Sequence, residues 1–143
     1  MTRVDFYLLP GNESAWPYAC RLTEKAYRQG HKVFLLTDTA EEAARLDDLL
    51  WTFRQGSFVP HRLVSGNTDA GPCPVAVGQA PPLGFDDVMI NLGSSVPETF
   101  SRFRRVIELV DPDDAARALR REHFRYYRSQ GLSPEMVDLE SAA

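Results

Sequence analysis

Cysteine is scarce in this chain of 143 residues: Cys20 and Cys73 stand far apart, with no neighbouring ligand pattern. That argues against a disulfide framework or a zinc knuckle and leaves two reduced thiols as the expectation. The three histidines, His31, His61 and His123, lack any metal-ligand spacing such as H-E-x-x-H. No apolar run approaches the length of a bilayer span, and the N-terminus lacks the charged-then-apolar pattern of a signal peptide. The cytoplasm is therefore the expected compartment. Phosphate-binding glycines are missing too: the first strand-like run is followed by Pro10-Gly11-Asn12, without G-x-G-x-x-G, and G-x-x-x-x-G-K-[ST] occurs nowhere. A single Gly11 reads as a plain turn. Ser94 and Ser95 follow a strand-like run but lack the G-x-S-x-G elbow. No catalytic set assembles, so neither an enzyme nor a cofactor is expected. Positive charge is also outnumbered, 16 Lys and Arg against 20 Asp and Glu, for a net charge of −4. Such a balance disfavours a surface that grips nucleic acid everywhere, and makes any local cluster of arginines informative.

What is present reads as an α/β chain. With 43% hydrophobic and 25% charged residues, it suits one domain over residues 1–143, with a tail from about residue 132 expected to be poorly ordered. Val4 to Leu9, Lys32 to Thr37, Val88 to Leu92 and Val106 to Val110 are short apolar strands. Pro74 to Gly78 is another, expected at an edge because of its flanking prolines. Ala15 to Gln29 is a helix with Ala19, Leu22, Ala26 and Tyr27 inward, stopped by Gly30. The next helix is capped by Asp38 or Thr39 with Glu42 completing a capping box, carries Ala43, Leu46, Leu49 and Leu50 inward, and ends near Trp51. Glu98 to Arg105 holds a short helical segment. Strand and helix alternating with short joins predict a mainly parallel, Rossmann-like, three-layer sheet without a phosphate-binding loop. Residues 65–84 form a turn-rich excursion.

The last helix carries the chemistry. Asp111 is its expected cap, Pro112 occupies the first turn, and Gly131 ends it. At about 100° per residue, Ala116, Leu119, His123 and Tyr127 fall on an inward stripe. Arg117, Arg121, Phe124 and Arg128 fall on another face, with Arg125 beside them. Glu122 is the one acid between Arg117 and Arg128, so local pairing cannot satisfy the arginines. Guanidinium forks that hold carboxylates, with an aromatic ring among them, suit an anionic partner with an apolar part. Nucleic acid is one such partner, and an acidic peptide ending in a hydrophobic residue with a free carboxylate is the other. The acidity of the remaining chain favours the compact peptide site.

The run from Leu50 to His61, Leu-Trp-Thr-Phe-Arg-Gln-Gly-Ser-Phe-Val-Pro-His, reads on its own as either an aromatic corner of the core or a surface for a partner. It also resembles the L-W-x-F-x-x-x-S-F-[LV]-P-H signature of the chi subunit family of bacterial DNA polymerase III. The preceding Ala43 to Leu49 and the opening Asp5-Phe6-Tyr7-Leu8-Leu9 fit the same pattern in the same order. The resemblance implies a non-catalytic replication adaptor. Such a protein would bind the acidic C-terminal tail of single-stranded DNA-binding protein, which ends in phenylalanine. It would pair with the psi subunit and reach the clamp loader through psi, touching DNA only indirectly. Carried over, the basic tail-binding positions are Arg117, Arg121 and Arg125. Phe124 stands where tyrosine is frequent and lacks its hydroxyl. Val110, Phe58 and Val59 would form the apolar pocket facing the arginine helix, while Trp51 and Phe53 end the preceding helix by packing. The psi contact is expected on an exposed apolar patch away from the basic helix. A direct single-strand binder and a nucleotide-using α/β enzyme are the competing functions.

Overall fold

The computed structural model describes residues 2–56, 58–65 and 71–139. Seven strands, β1 (Arg3–Leu8), β2 (Val33–Leu36), β3 (His61–Leu63), β4 (Val75–Gly78), β5 (Val88–Asn91), β6 (Arg105–Val110) and β7 (Glu135–Asp138), join in one sheet of order β3-β4-β2-β5-β6-β1-β7. Every pairing is parallel. The strands alternate apolar groups between two faces, because successive side chains point opposite ways. Val33, Leu35, Val75, Val77, Ile90, Ile107 and Leu109 enter one core with helices α1 (Ala15–Arg28) and α2 (Ala40–Thr52). Val4, Phe6, Phe34, Leu36, Met89, Val106 and Val110 enter the other. That second core is covered by helix α3 (Asp114–Ser129) and a single 3-10 segment at Glu98–Arg102. The result is the three-layer α/β arrangement with a parallel sheet.

Several details depart from the sequence reading. β4 is not at the edge: β3, three residues long behind Pro60, lies outside it, and all four β4 residues are buried. The tail expected to be poorly ordered from about residue 132 instead supplies β7, paired with β1 and followed by a hydrogen bond from Leu139 N–H to the Leu8 carbonyl. Asp113, not Asp111, caps α3, accepting from Ala116 N–H at 2.8 Å. It directly precedes the first helical residue, Asp114, whereas Asp111 stands two residues further out, beyond reach of the first-turn N–H groups. Asp111 caps a different helix, accepting from Ala15 N–H at 2.8 Å at the start of α1, where Ser14 makes no side-chain cap bond. Thr39 caps α2 as expected, through Glu42 N–H. In α1 the buried stripe is Ala15, Ala19, Cys20, Thr23 and Glu24, rotated from the expected one, with Leu22, Ala26 and Tyr27 partly buried beside it.

Cys20 and Cys73 are free, and burial pushes the Cys20 thiol up to about 12, so it stays protonated at neutral pH. The excursion over 65–84 contains the β3-to-β4 crossover, and its residues 66–70 lie outside the described part. Among the described residues no helix is long and apolar enough to cross a membrane.

Candidate functional site

α3 carries two faces with opposite chemistry. Its inner side buries Arg120, His123 and Tyr127, with Ala116 and Leu119 only partly covered. These three converge on Glu108, a fully buried carboxylate at the middle of β6. One oxygen of Glu108 lies 3.2 Å from Arg120 Nη1 and 3.0 Å from His123 Nδ1. The other accepts from the Tyr127 hydroxyl at 2.6 Å and from Asn91 Nδ2 at 2.9 Å. Burial, and the Glu108 charge beside it, raise the Tyr127 pKa, so the phenol remains a donor. Arg120 also donates to the carbonyls of Leu109 and Gly93, and His123 Nε2 lies 3.0 Å from the Ser94 carbonyl. The Gly93-Ser94 turn is held in its turn by Asp38, whose carboxylate accepts from Ser94 N–H at 2.9 Å. Asp38 is so close that a Cβ on Gly93 would stand 2.9 Å from its Oδ1. The arginine helix is thus locked onto β5 and β6 through a buried polar network, not through apolar packing alone.

The outer side of α3 forms one wall of a groove of about 880 Å³. Arg117, Arg121, Phe124, Arg125 and Arg128 line that wall, with Asp114 at its N-terminal end. Phe6, Leu8 and Leu9 from β1 and the residue after it, with Val110 from β6, form the floor, and Met136 and Asp138 of β7 form the far wall. The groove exists because α3 packs over β6, leaving the β1–β7 margin of that sheet face without a helix above it. Phe124 is half-buried, its ring 5.4 Å from that of Phe6. Arg117, Arg121, Arg125 and Arg128 are exposed, and among the described residues none of the four forms an ion pair with an acid. Four fixed cations beside an apolar floor can hold an anionic chain that buries one hydrophobic group.

Six of the eight residues picked out from sequence therefore share this groove: Val110, Arg117, Arg121, Phe124, Arg125 and Arg128. Phe58 and Val59 do not. Val59 is buried in the core under α1 and α2, on the opposite face of the sheet, and Phe58 sits beside β3 at the opposite end of the strand order. Sequence reasoning missed β7 and the buried Glu108–Arg120 pair. The one available signal was a glutamate in the centre of the apolar run Val106 to Val110, which demands a buried partner.

A second surface lies at the β3 end. Trp51, expected to pack at the end of α2, is instead half exposed, and Phe53 takes the packing role against the core. Phe58, 64% exposed, lies 5.8 Å from the Trp51 ring, and Leu63 is exposed nearby on β3. His61 is buried beneath: Nδ1 lies 2.6 Å from the Val59 carbonyl and Nε2 3.1 Å from the Asp47 carbonyl, and its ring is 4.3 Å from Trp51. The Val-Pro-His segment is therefore a clamp that presents two aromatic rings to solvent. Among the described residues no group of three or more His, Cys, Asp or Glu is placed to hold a metal ion.

Comparison with known proteins is consistent along the chain. Residues 1–135 match the family described as DNA polymerase III chi subunit, HolC. DNA polymerase III subunit chi of Pseudomonas aeruginosa is 42% identical over 134 residues, covering 92% of this chain and 92% of that protein. The protein of the same name from Haemophilus influenzae is 32% identical, covering 93% and 96%. Its counterpart from Escherichia coli is 29% identical, covering 93% and 95%.

Proposed function

The chain belongs to the DNA polymerase III chi subunit family, and on that premise we propose that it is a non-catalytic adaptor whose arginine groove captures the acidic C-terminal tail of single-stranded DNA-binding protein. The observation that carries this reading is the pairing of Arg117, Arg121, Arg125 and Arg128 with an apolar floor of Phe6, Leu8 and Val110 in one groove. Acidic residues of the tail meet the guanidinium groups, and its terminal phenylalanine leaves water on the floor. Such a contact is modest singly, and a protein coat offering several tails strengthens it through avidity. The Trp51–Phe58–Leu63 patch is the surface for the psi subunit, which carries the adaptor to the clamp loader in the cytoplasm. Exposed aromatic rings held in fixed positions are what a protein interface core requires. With five strand spacings between β3 and the groove floor on β1, the two surfaces stand about 24 Å apart, so both partners can be held at once.

Calorimetric titration of the full chain with a short acidic peptide ending in phenylalanine tests the first contact. Binding that weakens as salt rises, and weakens again when the terminal carboxylate is amidated, is expected; no heat at any salt concentration removes the reading. In parallel, a naked single-stranded oligonucleotide should give a flat titration, whereas steeply salt-dependent binding would favour direct nucleic-acid recognition. For the second contact, Phe58→Ala is expected to abolish co-purification with psi while leaving peptide affinity within about twofold, since the substitution is remote from the groove. Retention of psi by that variant would move the interface elsewhere.

A further inference from the structure

The far wall of the groove is selected neither by the arginine periodicity nor by the family motif. It comes from β7, where Met136 pairs in register with Phe6 and so projects on the same face of the sheet. The register puts Met136 beside the ring that Phe124 approaches to 5.4 Å from the helix side. Met136 is 53% exposed, and among the exposed large hydrophobic residues described it alone lies in the arginine groove. An unbranched thioether is also the side chain that adapts best to the face or edge of an aromatic ring. Resting on the tail-binding reading above, we propose that β7 is a binding element and that Met136 is the shelf on which the tail's terminal aromatic ring lies, facing the half-buried Phe124 across the groove. The occupant follows from charge and shape together: the arginines select an acidic chain, and the Phe124 ring with the Met136 thioether selects an aromatic end over an aliphatic one.

Methyl-labelled methionine reads this directly, because the sequence contains three methionines and Met89, on the central strand β5, is fully buried and does not line the groove. The full chain is titrated with two peptides of equal charge, one ending in phenylalanine and one in leucine. The Met136 methyl resonance, assigned through Met136→Leu, is expected to move strongly upfield with the phenylalanine peptide and little with the leucine peptide, while Met89 stays in place. Met136→Ala is expected to weaken the phenylalanine peptide about fivefold, through lost apolar contact, with the unfolding midpoint unchanged. If the peptide binds in an Arg121-dependent manner but the Met136 methyl does not move, or moves equally with both peptides, the shelf is wrong and the tail-binding reading stands. If neither peptide binds, both readings fall.

Discussion

Replacing Arg121 with alanine is expected to lower affinity for an acidic peptide ending in phenylalanine by about 10- to 100-fold. Arg121 is exposed, stands at the middle of the helix wall, and has no intramolecular ion pair among the described residues, so its guanidinium is available to a ligand. A charge-assisted hydrogen bond contributes about 1.5–3 kcal/mol, and each 1.4 kcal/mol is about a factor of ten in affinity. The unfolding free energy should change by less than about 0.5 kcal/mol, as at other exposed positions without partners. Arg121→Lys keeps the charge but loses the fork, and should recover only part of the affinity. Calorimetry on the three proteins at one salt concentration decides it. Equal affinity in the alanine variant would place the tail elsewhere.

Glu108→Ala is expected to be the most damaging single change to the fold. The carboxylate is fully buried, pairs with Arg120, lies 3.0 Å from His123 Nδ1, and accepts from Tyr127 and Asn91. Removing it leaves the buried Arg120 cation without its counter-charge, a loss of about 3–5 kcal/mol. Against a total stability of about 5–15 kcal/mol for a domain, that brings the protein close to unfolding at 37 °C. Urea denaturation measures it through the shift in midpoint at constant slope. The double change Glu108→Leu with Arg120→Met should recover much of the loss, because replacing a buried ion pair with apolar groups of similar size is often tolerated. A shift below about 1 kcal/mol for Glu108→Ala would mean the network does not lock the helix.

Most of the architecture was legible because period and length separate helices from strands here. The arginine face was legible for the same reason: positions 117, 121, 124 and 128 keep helical spacing, and the groove displays all four together. What was not legible depends on which layer a residue joins. Phe58 and Val59 were placed with the arginines through a sequence motif, but β3 is three residues long and sits at the far edge, so its neighbours Val59 and Phe58 turn to a different face and a different end. β7 escaped because Glu135-Met136-Val137-Asp138 is short, half charged and bonded on one side only. No local pattern marks a strand whose sole support is β1, more than 120 residues earlier. Glu108 looks out of place in its strand, and only the crossing of α3 over β6 reveals Arg120 as its partner.

The position of β1 has a consequence for how the protein comes into being. The first strand to be made hydrogen-bonds to the last two, β6 and β7, and to no other. During synthesis both of its edges therefore stay open until residues 105–138 have left the ribosome. Closing loops of that length raises contact order, which slows folding, and an unpaired apolar strand is exposed to aggregation meanwhile. The groove floor on β1 and its far wall on β7 are joined by that same late step. Binding competence should therefore arrive with the completion of the sheet and not before it, so recovery of peptide binding during refolding should coincide with the slowest structural phase.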